Sequence, residues 1–278
     1  MYENTVVGWD GSAPAQAAVD WAVRRAQGRS RAVRIVRVVD DVARDADDLD
    51  TRWAVAVATH ALAEVSARLR VDHPEIDLTT AVAVGEPAEV LNGYADGEAL
   101  IVVGTEHGHI DEHWSGSRLG ARLAAAASGP VAVIPVPDTR RRSGVIAGIG
   151  GPDEPKSIAL FAAELAHLLG EELHLVHASP ENPAGSESAL DTTTEAAFDR
   201  ALASIAHAFP AVVVHGHVEP ASPASALLRR ARDASLIVVG ARRPGVARRL
   251  FLGSVSHTLV SNAPCPTIVM PKRAKGAM

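Results

Sequence analysis

The chain contains one segment twice. Leu100-Ile101-Val102-Val103-Gly104 returns as Leu236-Ile237-Val238-Val239-Gly240, an offset of 136. Gly129 to Pro135 returns as Cys265 to Pro271 at the same offset. Upstream, Thr5 to Gly11 matches Val145 to Gly151, an offset of 140. Gly85-Glu86-Pro87-Ala88 likewise matches Ala221-Ser222-Pro223-Ala224. A period near half of 278 residues is too long for a solenoid. It predicts two tandem domains, 1–137 and 144–272, each long enough to bury its own core. Residues 138–143 read as the linker, and Arg140, Arg141 and Arg142 as solvated linker charge.

Within each half, apolar runs alternate with helical spacings. Thr5 to Trp9, Val33 to Val39, Leu78 to Val84 and Leu100 to Val103 read as strands. Helices are predicted after Pro14, through Trp53, Val57, Ala61, Val65 and Leu69, and from Pro87. The second half repeats the order, with strands at Val145–Ile149, Leu173–Ala178, Val212–Val214 and Leu236–Val239. Ser254 reads as the N-cap of its last helix, followed by a strand from Thr267 to Met270. This alternation predicts an α/β chain with mostly parallel sheets flanked by helices. Ligands on such sheets sit beyond the carboxyl ends of the strands. Asp10, Gly104 and Gly116-Ser117 fall there in the first half, and Gly240 and Gly253-Ser254 in the second. Glycines at a strand end, then Gly-Ser at a helix start, suit a phosphate: backbone N–H groups can approach it and the helix terminus favours negative charge.

Composition excludes several classes. The formal net charge of −6 argues against a general nucleic-acid binder. No apolar run approaches a membrane span. The N-terminus carries no signal-peptide pattern, and one cysteine, Cys265, allows no intrachain disulfide. A cytoplasmic protein is expected, with Cys265 as a small packing residue.

Other motifs read as structure. Gly150-x4-Pro155-Lys156-Ser157 approaches a phosphate-binding loop, but Pro155 has no N–H to offer, so a helix start is expected there. His107, His109 and His113 fall in one loop with Asp111 and Glu112 and read as a polar rim. His215 and His217 alternate at a strand end and share one face. No metal site and no nucleophile–base pair stands out.

VVGWDGSAPAQAAVDWAV, GEPAEVL, the two LIVVG runs and LFLGSVSHTLVSNAPCPTIVMP resemble the universal stress protein family. The resemblance covers essentially the whole chain. It implies a five-stranded, Rossmann-like fold of the adenine-nucleotide α-hydrolase type in each half. It also implies dimerisation through last strands, and a role in stress response or growth control, usually without a defined reaction; the last strands, Val131 to Val136 and Thr267 to Met270, are expected to pair with each other within the chain or across a homodimer. Many members bind ATP, with or without Mg, through a Gly-x2-Gly-x9-Gly-Ser/Thr loop and an Asp after the first strand.

Carried onto this chain, the family pattern names Asp10 for ribose, Val38 for adenine, and Gly104, His107, Gly116 and Ser117 for phosphate in the first half. In the second half it names Gly240, Arg243, Gly253 and Ser254. His107 and Arg243 stand where the second glycine belongs, and Gly150 replaces the Asp. In the first half, either the loop is one residue shorter or Ser117 and Arg118 occupy the Gly-Ser positions. A slow ATPase or phosphoryl-transfer enzyme, and a non-binding scaffold acting through dimerisation and partners, are the competing readings.

Overall fold

The repeated apolar runs become parallel strands. The computed structural model describes residues 2–27, 31–40, 49–94, 99–106, 116–150, 155–178, 192–241 and 252–271. These fall into two units divided after Pro137.

The first unit runs β1 (Asn4–Gly8), α1 (Ala13–Ala26), β2 (Ala32–Val39), α2 (Leu49–Asp72), β3 (Asp77–Val84), α3 (Pro87–Gly93), β4 (Ala99–Thr105), α4 (Gly116–Ala126) and β5 (Val131–Pro135). Its strand order is β3-β2-β1-β4-β5, with every pairing parallel. Leu100, Ile101 and Val102 of the interior strand β4 are fully buried, as a strand covered on both faces requires.

The second unit repeats the order. It runs β6 (Val145–Gly148), α5 (Pro155–Leu169), β7 (Leu173–Ala178), α6 (Thr192–Ala208), β8 (Val214–Glu219), α7 (Pro223–Ala231), β9 (Leu236–Gly240), α8 (Ser254–Asn262) and β10 (Thr267–Met270). Its order is β8-β7-β6-β9-β10, again all parallel.

Local chemistry sets the helix starts. Ser12 caps α1, its hydroxyl accepting from Ala15 N at 3.3 Å, and Pro14 fits the first turn. Glu86 caps α3 and Ser222 caps α7 in the same way. Helix α5 opens at Pro155, as expected of the Gly150 to Ser157 stretch.

Four details differ from the sequence reading. The face of α2 is not the Trp53, Val57, Ala61, Val65 series. Its buried residues are Ala58, Leu62, Ser66 and Leu69, while Trp53 is 71% exposed. A strict four-residue repeat drifts about 40° per step around a 3.6-residue helix, so it cannot hold one face over four turns. The strand expected at Val212–Val214 lies instead at Val214–Glu219, because an edge strand with His and Gly at alternate positions carries no apolar run to mark it. Gly253, not Ser254, is the N-cap of α8, with no side-chain cap bond. Finally, Arg142 is not solvated. It donates to both carboxylate oxygens of Asp138 at 2.6 Å and, through Nε, to Arg232 O at 3.1 Å.

Candidate functional site

A cavity of about 310 Å³ opens at the carboxyl ends of the first unit's strands. Asp10 follows β1, Val36 and Val38 come from β2, and Gly104 from β4; all line it. Tight local geometry positions Asp10. Gly11 adopts φ +91, where side chains are disfavoured, and Ser12 N donates to Asp10 Oδ1 at 2.9 Å. Asp10 is exposed, and its second oxygen has no hydrogen-bond partner among the described residues. The carboxylate is therefore fixed by one oxygen and can accept through the other.

Gly104 has a packing reason that the sequence did not disclose. A Cβ there would stand 2.1 Å from the C and O atoms of Pro14. The glycine lets the first turn of α1 sit directly on the end of β4. Gly8 is similarly crossed by Leu91, whose Cδ1 would be 2.9 Å from an added Cβ. Leu91 on α3 and Leu119 on α4 supply apolar walls from two further helices. Arg122 of α4 donates to Glu86 Oε1 at 2.6 Å and ties those helices together. Partial burial pushes the Glu86 carboxyl up. N–H bonds from Ala88 and Glu89 and the Arg122 guanidinium outweigh it, and its pKa falls below the usual carboxylate value.

Trp9, also on the wall, is 8% exposed and carries the Arg37 guanidinium 5.4 Å from its ring centroid. Its Nε1 is buried without a partner among the described residues. Sequence reading missed Trp9, Leu91 and Leu119. Leu91 and Leu119 carried no signal, because each reaches the cavity from a separate helix.

Gly116 and Ser117 lie in the first turn of α4. Leu123 and Ala124 of α4 are buried as Leu259 and Val260 of α8 are, at the offset of 136. In that register Ser117 and Arg118 hold the places of Gly253 and Ser254. His107 and Arg243, with His109, Asp111, Glu112 and His113, lie outside the described residues.

The second unit has a cavity of about 160 Å³ in the corresponding place. It brings together Gly150, Gly240, Gly253 and Ser254, and adds His177 and Ala178. Gly8 is paired with Val36 and Gly148 with Val176, so Arg37 and Val38 correspond to His177 and Ala178. The offset of 140 already pointed from Val38 to Ala178. His177 Nδ1 lies 3.0 Å from Ile149 O, so that nitrogen carries the proton and donates. Ser256, 1% exposed, donates its hydroxyl to Gly240 O at 2.9 Å and pins α8 to the end of β9.

Among the described residues, no group of three or more His, Cys, Asp or Glu could hold a metal ion. No helix among them is long and apolar enough to cross a membrane.

Comparison with known proteins agrees with this geometry. Residues 1–135 and 143–271 each match the universal stress protein family. The chain is 30% identical to universal stress protein Rv1996 of Mycobacterium tuberculosis, over 95% of this chain and 93% of that one. It is 27% identical to a universal stress protein of Mycolicibacterium smegmatis, over 96% and 97% of the two chains. A crystal structure of a universal stress protein from Archaeoglobus fulgidus covers 98% of this chain and 100% of its own, with a TM-score of 0.73 at 18% identity, which speaks for the fold alone. Two matched halves, five parallel strands in each unit and full-length relatives lead to one conclusion: this chain belongs to the universal stress protein family.

Proposed function

We propose that the first unit binds an adenine nucleotide, ATP by the family pattern, with or without Mg, and that the protein acts as a regulator in stress response or growth control. Asp10 carries this reading: a carboxylate anchored through one oxygen, with the other unpartnered among the described residues, at the wall of a cavity of about 310 Å³. That carboxylate can accept a ribose hydroxyl. Val36 and Val38 offer an apolar wall for a base, with backbone groups of β2 beside it. The volume falls within the range of about 300–1,000 Å³ common for small-molecule sites. Gly116 and Ser117, at the start of α4, supply the phosphate end in this proposal.

The second unit is the weaker site. Its cavity of about 160 Å³ lies below that range, and Gly150 replaces the carboxylate. The Ser256 hydrogen bond organises its helix start, but a ribose finds no anionic partner in Gly150.

Calorimetry with ATP tests the assignment. A hydrogen bond to a charged group is worth about 1.5–3 kcal/mol, so Asp10→Ala loses roughly tenfold or more in affinity. Ser254→Ala leaves the tight site unchanged. Unchanged affinity in Asp10→Ala, with loss in Ser254→Ala, would move the principal site to the second unit.

A further inference from the structure

A histidine cluster lies in the second unit, separate from the residues that line its cavity. The ring of His174 on β7 stacks against those of His215 and His217 on β8, with centroids 5.1 and 5.3 Å away. The register sets His174 opposite His215 and His217 opposite Val176. His174 Nδ1 and His217 Nε2 are 3.0 Å apart. One of these nitrogens donates and the other accepts. A doubly protonated pair has only donors there, so the bond requires at least one neutral ring.

The surrounding charges offer a second proton little compensation. Glu172, just before β7, already meets His215 Nε2 at 3.0 Å. Glu219, at the end of β8, is held by Arg229 at 2.7 Å and Arg230 at 2.5 Å, both from α7. Arg230 adds positive charge beside the cluster. Desolvation first, then His215 and Arg230, hold His174 below its ordinary value of 6.5, against a smaller pull from Glu172. Desolvation, then Arg230, His174 and His215, do the same to His217, against Glu219.

The strand that carries two of these rings is weakly held. None of the six residues of β8 is fully buried, and Val218 is 48% exposed. Within its unit it pairs with β7 alone. Its middle residue, Gly216, has no side chain, and Phe198 of α6 closes over it: an added Cβ would meet Phe198 Cε1 at 2.7 Å. Edge elements with few buried contacts open most readily.

We propose that His174 and His217 form an acid-sensitive latch: their hydrogen bond, which needs a neutral ring, holds the edge strand β8 on β7, and protonation releases it. Because His174 and His217 titrate lower when β8 is attached, the detached strand takes up protons first. Attachment is therefore fully supported above 6.5, the ordinary value, and weakens as pH falls through it toward the lower folded values. Release also loosens one wall of the second cavity, since β8 leads through Ser222 to Pro223, which lines it.

Hydrogen exchange of the full chain, corrected for intrinsic rates, tests the latch between about pH 7.5 and about pH 5. Amides of residues 214–219 should lose protection at the lower pH relative to the higher. Those of β3, an edge strand in the first unit without such a cluster, should not follow. His217→Gln keeps a hydrogen-bonding side chain that does not titrate, and should remove most of the acid response. Equal losses in β3 and β8, or an unchanged response in His217→Gln, would overturn the proposal. Should that variant fail to fold, ring-proton NMR titration of the unmodified chain decides: His174 and His217 both titrating at the ordinary value would overturn it, and depressed, mutually dependent midpoints would support it.

Discussion

Replacing Gly104 by alanine puts a carbon where the backbone of α1 already stands. The added Cβ would lie 2.1 Å from Pro14 C and O and 2.6 Å from Ala15 N. Carbon contacts are most favourable at about 3.5–4.0 Å, so the new atom arrives about 1.4–1.9 Å too close. The obstacles are backbone atoms in a helix's first turn, so no rotamer change relieves the clash. Either β4 or α1 must shift by that amount. Overpacking of well-packed cores costs about 1–3 kcal/mol and occasionally more; a backbone obstacle sets the expectation here at about 3 kcal/mol.

The assay is convenient. All four tryptophans, Trp9, Trp21, Trp53 and Trp114, lie in the first half, so urea unfolding followed by tryptophan fluorescence reports on the first unit. Gly93→Ala is the control: nothing lies within 4 Å of its added Cβ, and a helical glycine replaced by alanine should gain about 0.5–1 kcal/mol. Nucleotide affinity should fall in Gly104→Ala as well, because Pro14 and Ala15 line the cavity and move with α1. A Gly104→Ala variant within about 0.5 kcal/mol of the parent would refute the packing argument, since surface changes away from such features are that small.

Two further outcomes follow from burial. Cys265, 1% exposed, has its thiol pushed up to about 12 by burial, with a small opposing pull from Arg142. It should resist thiol reagents at neutral pH until the second unit unfolds, and any stability it contributes should fall as pH rises from 9.0 toward about 12. Trp53→Ala should change stability by no more than about 0.5 kcal/mol in urea unfolding, despite the size of the side chain, because Trp53 is 71% exposed.

The strand runs were legible because a buried parallel strand must be apolar throughout, and LIVVG is. The starts of α1 and α5 were legible because Pro14 and Pro155 leave few alternatives there. The buried face of α2 was not, because its side chains alternate between small apolar and polar types with a weak stripe. Strand β8 was misplaced for the same reason: its six residues carry His, Gly and Glu, and only pairing with β7 makes them a strand. At the site, Asp10, Val38 and Gly104 meet on one cavity because β1, β2 and β4 are neighbours in the sheet. Their cavity neighbours Leu91 and Leu119 come from helices whose rotation no local pattern fixes. Gly104 has a packing reason beside the expected one, since a phosphate and a helix backbone both require the absence of a Cβ.

The two units differ at the start of the helix that would face a ligand, and Ser256 concentrates that difference. Its buried hydroxyl donates to Gly240 O at 2.9 Å, joining the first turn of α8 to the end of β9. The residue in the same place in α4 is Gly120, which has no hydroxyl to give. The first unit thus has the carboxylate without the pin, and the second has the pin without the carboxylate. Ser256→Ala removes the donor and leaves the Gly240 carbonyl without it, at a cost of about 1–3 kcal/mol for an unsatisfied buried group. The second half contains neither tryptophan nor tyrosine, so hydrogen exchange of the α8 and β9 peptides is the appropriate readout. Protection should fall by roughly tenfold there, while the fluorescence transition of the first unit stays in place. ATP affinity at the tight site should also be unchanged, because the proposed site lies in the other unit. Loss of that affinity in Ser256→Ala, with α8 still protected, would mean that the pinned helix start of the second unit, rather than Asp10, dominates nucleotide binding.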